Sequence, residues 1–192
     1  MLDRIERELR ASSEFLGEIA DNVMVVVKGV VSFVAARLDS PKPYQREDGK
    51  GASAVEADLQ EDLFDWLRSG ALLRGRAVWE PQRVGGGRPD ISVVFVNQVV
   101  VNELKREQKD SSHEAMEETY SGQAGSYDAT TYPFGLVTVL DVSAEPPSTP
   151  RLDGCVWVHR REDESGTRWL VFVRVPGRLS APSVQTKRAQ RS

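Results

Sequence analysis

Asp90, Glu103 and Lys105 are the residues whose types and spacing point most directly to chemistry. Gly87-Arg88-Pro89-Asp90 leads into an apolar run, and Glu103-Leu104-Lys105 closes the next one. In a strand, residues two apart share a face, so Glu103 and Lys105 point the same way. A hairpin turn at Asn97-Gln98 pairs Val96 with Val99, and the same register pairs Asp90 with Lys105. Directly paired residues also share a face, so all three meet on one side of a sheet. Two carboxylates and one ammonium there are costly as structure. As a site they make sense. Carboxylate oxygens are hard ligands for Mg²⁺, or Mn²⁺ in its place. A divalent cation polarises a phosphoryl oxygen and lowers the pKa of bound water. The lysine then orients or deprotonates the attacking water, or offsets charge in the transition state. The plainer account is an edge hairpin whose outward charges prevent aggregation. These three residues alone do not separate the two.

The neighbours weigh toward a site. Ser53-Ala-Val-Glu56 has the pattern of a capping box. Leu59, Leu63, Trp66 and Leu67 mark the apolar face of the helix it starts, and Ser69-Gly70 ends that helix. At about 100° per residue Glu56 lies within about 60° of Leu59 and Leu63, toward the sheet, so it serves as cap or as a further carboxylate at the site. Glu61 lies on the solvent side and is the weaker candidate. A helix from about His113 to Asp128 puts Gln123 and Tyr127 on one face, at i and i+4. Arg88 and Lys109 flank the carboxylates and are placed to contact phosphates.

The elements that must position these residues follow from periodicity. Leu2, Ile5, Leu9 and Leu16 suit an amphipathic helix over the first twenty residues, and Val23 to Val34 continue with a buried one. That apolar stretch, Val23 to Ala36, is shorter than the roughly 20 residues a membrane span needs. Residues 39–52, rich in proline, glycine and charge, read as a linker. Strands follow at Arg76 to Val84, Asp90 to Val96 and Gln98 to Lys105, then the His113 helix, a strand from Phe134 to Val142, and a hairpin of Cys155 to Arg160 with Thr167 to Val175. The unit from Gln98 to Val142 is a right-handed parallel crossover. The expected fold is therefore α/β, a mixed sheet flanked by helices, with an N-terminal helical appendage (1–38), a main domain over 53–176 that ends in a β-hairpin, and a flexible basic tail (177–192).

Taken in order, Glu56, Pro89-Asp90, Glu103-x-Lys105 and Gln123-x-x-x-Tyr127 resemble the PD-(D/E)XK nuclease superfamily, in the variant seen in RecB-type exonuclease domains. The resemblance spans about residues 50 to 142 and agrees in the order of elements. It implies a restriction-endonuclease-like core and a metal-dependent DNA nuclease that hydrolyses phosphodiesters, in prokaryotic defence, recombination or repair. It implies that Asp90 and Glu103 hold Mg²⁺ or Mn²⁺, that Lys105 assists the nucleophilic water, and that Glu56 assists at the metal. It also implies that Gln123 and Tyr127 contact the nucleic acid near the cleaved bond.

The composition narrows the remaining classes. Hydrophobic residues make up 40% and charged residues 28%, which excludes a disordered or collagenous chain. One Cys and two His leave almost no room for a Cys/His zinc site. The N-terminus has no apolar signal core, and a cytoplasmic location without membrane is expected. The formal charge of -4 argues against a protein that coats nucleic acid, but local basic residues flank the proposed site. Partners expected are DNA and, through the N-terminal helices, a second copy or a larger assembly. A catalytically inactive nucleic-acid-binding or scaffold module on the same fold is the alternative, and an interaction protein built on the N-terminal helices is a third.

Overall fold

The structure, a computed structural model, describes residues 1–39, 54–71, 73–79, 90–124, 133–143, 151–163 and 166–177, the side chains of 123, 124 and 163 excepted. The elements in chain order are α1 (Leu2–Leu9), α2 (Gly17–Leu38), α3 (Glu56–Ser69), β1 (Ala77–Trp79), β2 (Ile91–Val94), β3 (Val99–Glu107), α4 (His113–Ala124), β4 (Phe134–Asp141), α5 (Leu152–Cys155), β5 (Val156–Asp163) and β6 (Gly166–Pro176). The strands form one sheet in the order β1-β2-β3-β4-β6-β5. β3–β4 and β4–β6 pair in parallel, and the other three pairs are antiparallel. The expected mixed α/β class, the parallel crossover through α4 and the terminal hairpin are all present. Its register sets Asp163 opposite Gly166, whose φ of +117° suits a residue without Cβ.

The central strands need cover on both faces. β4 is buried along Leu136–Asp141, and β6 from Leu170 onward. Such strands read as nearly continuous apolar runs, here Leu136-Val-Thr-Val-Leu140 and Leu170-Val-Phe-Val173. On the back face, Leu136, Leu140, Val171, Val173 and Val175 join one core with residues of α1, α2 and α3. On the front face, Val137, Val139, Leu170 and Phe172 pack with Met116 and Tyr120 of α4 and with Trp157 of β5. His113 stacks on Trp157 at 3.7 Å, and its Nε2 lies 3.1 Å from the Gly154 carbonyl oxygen, which pins the start of α4 to the hairpin.

The expected N-terminal appendage is therefore corrected. Ile5, Leu9, Phe15, Val23, Val26, Val27, Val30, Phe33 and Val34 are buried in the same core as the back of the sheet. Phe15 meets the β4 residue Phe134 edge-on at 5.3 Å. The Arg4 guanidinium donates to the carbonyls of Asp153 and Val156, at 3.1 and 2.5 Å. A linker-like composition at 39–52 does not make what precedes it a separate unit, because the α2 valines bury against the back of the sheet and α3. The helix division differs too. The first helix ends at Leu9, and α2 runs 22 residues from Gly17. That makes α2 long and apolar enough to cross a membrane by length and composition, contrary to the length argument from Val23 to Ala36. Nine of its residues are buried within the protein, as in a core helix. Its close approach to α3 needs Gly29, where a Cβ would stand 2.8 Å from Leu73 Cδ1 and 3.1 Å from Leu67 Cδ2.

Two expectations about local structure shift by small amounts. The helix cap lies at Val55, whose N–H donates to the Asp58 carboxylate at 2.6 Å, so Asp58 rather than Glu56 is the capping acid. The β2–β3 turn centres on Val96-Asn97, since Phe95 N–H donates to the Gln98 carbonyl at 2.7 Å. Val94 then pairs with Val99 and Ile91 with Asn102. The expected linker, the end of the first strand at 80–84, the Gly85–Gly87 loop and the basic tail from 178 on lie outside the described residues.

An integral N-terminal part is testable. Phe15→Ala should lower unfolding stability by about 3–5 kcal/mol, the usual cost of emptying an aromatic core site, read in urea melts. A detachable appendage would leave the melt of the sheet unchanged.

Candidate active site

The observed register ends at Ile91–Asn102, and carried one residue further it would set Asp90 opposite Glu103 instead of Lys105. A turn displaced by one residue slips the pairing by two, and a slip of two keeps every side chain on its face. The juxtaposition therefore survives. Asp90 Oδ2 accepts the Leu104 N–H at 2.7 Å, which locks the aspartate to the middle of β3. Its other oxygen takes no hydrogen bond among the described residues. From behind, Gln60 of α3 donates its side-chain N–H to the Asp90 carbonyl at 3.0 Å. Gln60 is buried, and sequence reasoning missed it. Its place one residue after Leu59, on the inward side of α3, was the available signal.

Glu103 and Lys105 form an ion pair of 2.6 Å, with side chains 8% and 16% exposed. A pair so little exposed gains from Coulomb attraction but loses hydration, so it is weak evidence for a stabilising role. Glu56 begins α3 and is half-buried. Its carboxyl is pushed up by burial, with Lys105 pulling down and Glu103 pushing up again. The Asp90 carboxyl rises from the ordinary 3.8 to about 6, driven first by burial, then opposed by the Leu104 N–H, with Glu103 and Glu56 adding repulsion and Lys105 attraction. The structure thus brings Glu56, Asp90, Glu103 and Lys105 into one electrostatic neighbourhood, with three carboxylates to one ammonium.

Such an excess of carboxylate oxygen suits a hard divalent cation. Among the described residues, no group of three or more His, Cys, Asp or Glu side chains is placed to hold a metal ion, so Glu56, Asp90 and Glu103 do not form one. Mg²⁺ rarely asks for one. It is commonly held by one or two carboxylates, with water and substrate phosphate completing the shell. Asp90 and Glu103 would supply those two, with Glu56 beside them.

β3 also carries Glu107 on the same face as Glu103 and Lys105. Its Oε1 accepts the N–H groups of Gln108, Lys109 and Asp110 at 2.7, 2.6 and 3.2 Å, and its Oε2 accepts the Tyr120 hydroxyl at 2.8 Å. Burial pushes this carboxyl up, but the four hydrogen bonds outweigh it and leave it lowered. Burial, the hydrogen bond to Glu107 and the charges of Glu107 and Glu56 push the Tyr120 phenol above its usual range. Tyr120 therefore ties α4 to the end of β3, a role the sequence did not announce.

Of the expected nucleic-acid contacts, Lys109 is exposed in the turn after β3, anchored by its N–H to Glu107. Gln123 lies in α4, one turn after Tyr120, with its side chain outside the described set. Arg88 and Tyr127 lie outside the described residues. No protein-family model matches the chain, and no curated protein matches it.

The raised Asp90 carboxyl carries a pH signature. Folded protein keeps a proton on Asp90 that the unfolded chain has released above about pH 4. The folded state therefore binds the extra proton between about pH 4 and 6, and stability falls as pH rises through that window. In EDTA, Asp90→Asn should flatten this fall and melt higher than wild type at pH 7. An identical slope in both proteins would show that Asp90 does not carry it. Separately, Tyr120→Phe removes a hydrogen bond to a buried charge and should cost about 1.5–3 kcal/mol in urea melts.

Proposed function

We propose that the protein is a metal-dependent nuclease that hydrolyses phosphodiester bonds of DNA, with a core of the restriction-endonuclease-like type. The observation that carries this reading is the gathering of Asp90, Glu103, Lys105 and Glu56 at the open end of the β2–β3 hairpin, an arrangement costly as structure and useful as chemistry. The resemblance of the Pro89-Asp90, Glu103-x-Lys105 series to the PD-(D/E)XK superfamily supports it, as does the parallel crossover that follows β3.

Each residue then has a task. Asp90 and Glu103 would hold Mg²⁺ or Mn²⁺, which when bound supplies Lewis-acid stabilisation of a phosphoryl transition state. Asp90 is pre-oriented by the Leu104 N–H and by Gln60, so little ordering is left for the reaction. Lys105 presents an ammonium where negative charge develops on the phosphoryl oxygens. Its ion pair with Glu103 holds it in place until the phosphate arrives. Glu56, whose carboxyl feels both Lys105 and Glu103, would assist at the metal. Lys109, Arg88, Gln123 and Tyr127 are the proposed contacts to DNA.

A second reading, a binding module without catalysis, draws on one observation. Glu103 and Asp90 already take hydrogen bonds from Lys105 and Leu104, which can be read as a satisfied structural cluster. Cleavage assays separate the two. Linear, nicked, branched and single-stranded DNA are incubated with Mg²⁺ or Mn²⁺, against EDTA. Metal-dependent cleavage that falls by about 10²-fold or more in Asp90→Ala and in Lys105→Ala supports the nuclease, in line with the loss of one transition-state donor. Binding without cleavage on every substrate assigns the module.

A further inference from the structure

We infer that the tip of the β2–β3 hairpin is a second nucleic-acid contact, seated in a groove of the duplex away from the carboxylates. The inference rests on the nuclease reading and adds a surface to it.

Exposed apolar residues are few and concentrated. Of the six large hydrophobics exposed among the described residues, Val78, Trp79, Val94 and Val96 all belong to the β1–β2–β3 corner. Val96 is 89% exposed at the turn itself, where packing gives it nothing to do. Tight hairpin turns ordinarily favour Asn, Asp or Gly, so the valine beside Asn97 is an unusual choice for the turn itself. The base of the tip is not arranged for stability either. Both amide atoms of Gln98 are buried without a hydrogen-bond partner among the described residues, a destabilising arrangement.

Charge selects the occupant. The whole chain has more acids than bases, 29 against 25. Residues 70–79 and 91–102 reverse this locally, with Arg74 and Arg76 and no acid. Both arginines are exposed, and the Arg76 guanidinium lies over the Phe95 ring at 4.9 Å, next to the tip. An apolar tip flanked by two cations suits a polyanion with apolar groove walls. A two-stranded β-ribbon also fits the major groove of B-form DNA.

Position ties the tip to the site. Strand alternation puts Val78 and Val94 on the sheet face that carries Glu103 and Lys105. α4 packs on β3 and β4, and the corner continues that face beyond it. Val96 is six residues along the strand from Asp90, or about 20 Å at 3.3 Å per residue. A duplex with its scissile bond at the carboxylates passes the tip about six base pairs away, at 3.4 Å per pair.

The test compares duplexes of about 30 and about 8 base pairs, the shorter reaching only roughly 14 Å from its centre. Affinity is read by fluorescence anisotropy in Ca²⁺ for wild type, Val96→Asp, Val96→Thr, Arg76→Gln and Arg76→Lys, each checked by its melt. The ratio of long-duplex to short-duplex affinity should fall about tenfold in Val96→Asp combined with Arg76→Gln, and the salt slope on the long duplex should drop by about 1 in Arg76→Gln and recover in Arg76→Lys. Val96→Thr, which keeps the shape, should give an intermediate ratio. An unchanged ratio with wild type binding both duplexes overturns the tip contact and leaves the nuclease reading standing. An equal loss on both lengths overturns it too. A change of sedimenting mass in Val96→Asp with DNA affinity intact assigns the tip to a protein contact and overturns it. Failure of wild type to bind any DNA removes the nuclease reading, and the tip contact with it.

Discussion

Strands β3, β4 and β6 run parallel, and β4 and β6 carry apolar residues on both faces, so neither face of these two can be left to water. Most of the architecture answers that requirement. The back is closed by α2, whose buried valines, Val23 to Val34, have no other function in the fold. The front is closed by α4, which presents Met116 and Tyr120 to Val137, Val139 and Phe172. α2 is a poor helix by propensity because β-branched residues are stiff in helices. It forms because burying that row of side chains, at about 1.5–3 kcal/mol each, outweighs a deficit of tenths per residue. The N-terminal segment thus belongs to the core.

The candidate site lies where that cover ends. Glu103 and Lys105 stand on the same strand and face as buried Val101, but closer to the end that α4 ties down through Tyr120 and Glu107. Asp90 enters from β2 and Glu56 from the first residue of α3. No single element could collect these charges, and each element is held by something else: α3 by Leu59, Leu63 and Leu67 in the core, β2 by its pairing, Asp90 by Leu104 and Gln60. The net charge of the chain is therefore a poor guide to its partners. Several acids have local duties, with Asp58 capping α3, Asp62 paired with Arg37, and Glu107 binding a turn. What a polyanion would meet is the local balance at the corner and around Lys105 and Lys109.

How much of this was legible in the sequence depends on range. Alternation and turn residues located the strands of the main sheet, because those signals are local. They also placed Asp90, Glu103 and Lys105 together, and an error in the turn position was harmless because it moved the register by an even number. What was not legible was long-range. The proline-rich segment after Asp39 looked like a boundary, yet α2 packs on strands more than sixty residues later. Ser53-x-x-Glu56 looked like a cap, yet Val55 and Asp58 do that work, an ambiguity between two acids two residues apart. Gln60 offered only its inward place beside Leu59 as a signal and Tyr120 none, because their partners, the Asp90 carbonyl and the Glu107 carboxylate, become neighbours only in the folded sheet.

Glu107 and Asp90 show how one neighbourhood can give two carboxylates opposite characters. Both are largely withdrawn from water, which by itself favours the neutral acid. Glu107 receives three backbone N–H groups and a phenol, and so stays ionised as a fixed anchor. Asp90 receives one N–H and faces two other carboxylates, and so is driven toward protonation near pH 6. A group used only to hold a turn has every reason to be satisfied within the chain. A group left short of donors, with an open oxygen and like charges beside it, is stabilised only when positive charge arrives from outside. Paired environments that push two acids apart in this way mark where chemistry is done and where structure is held. On that criterion Glu107 is held as structure, and Asp90 is the carboxylate whose charge the proposed metal would offset.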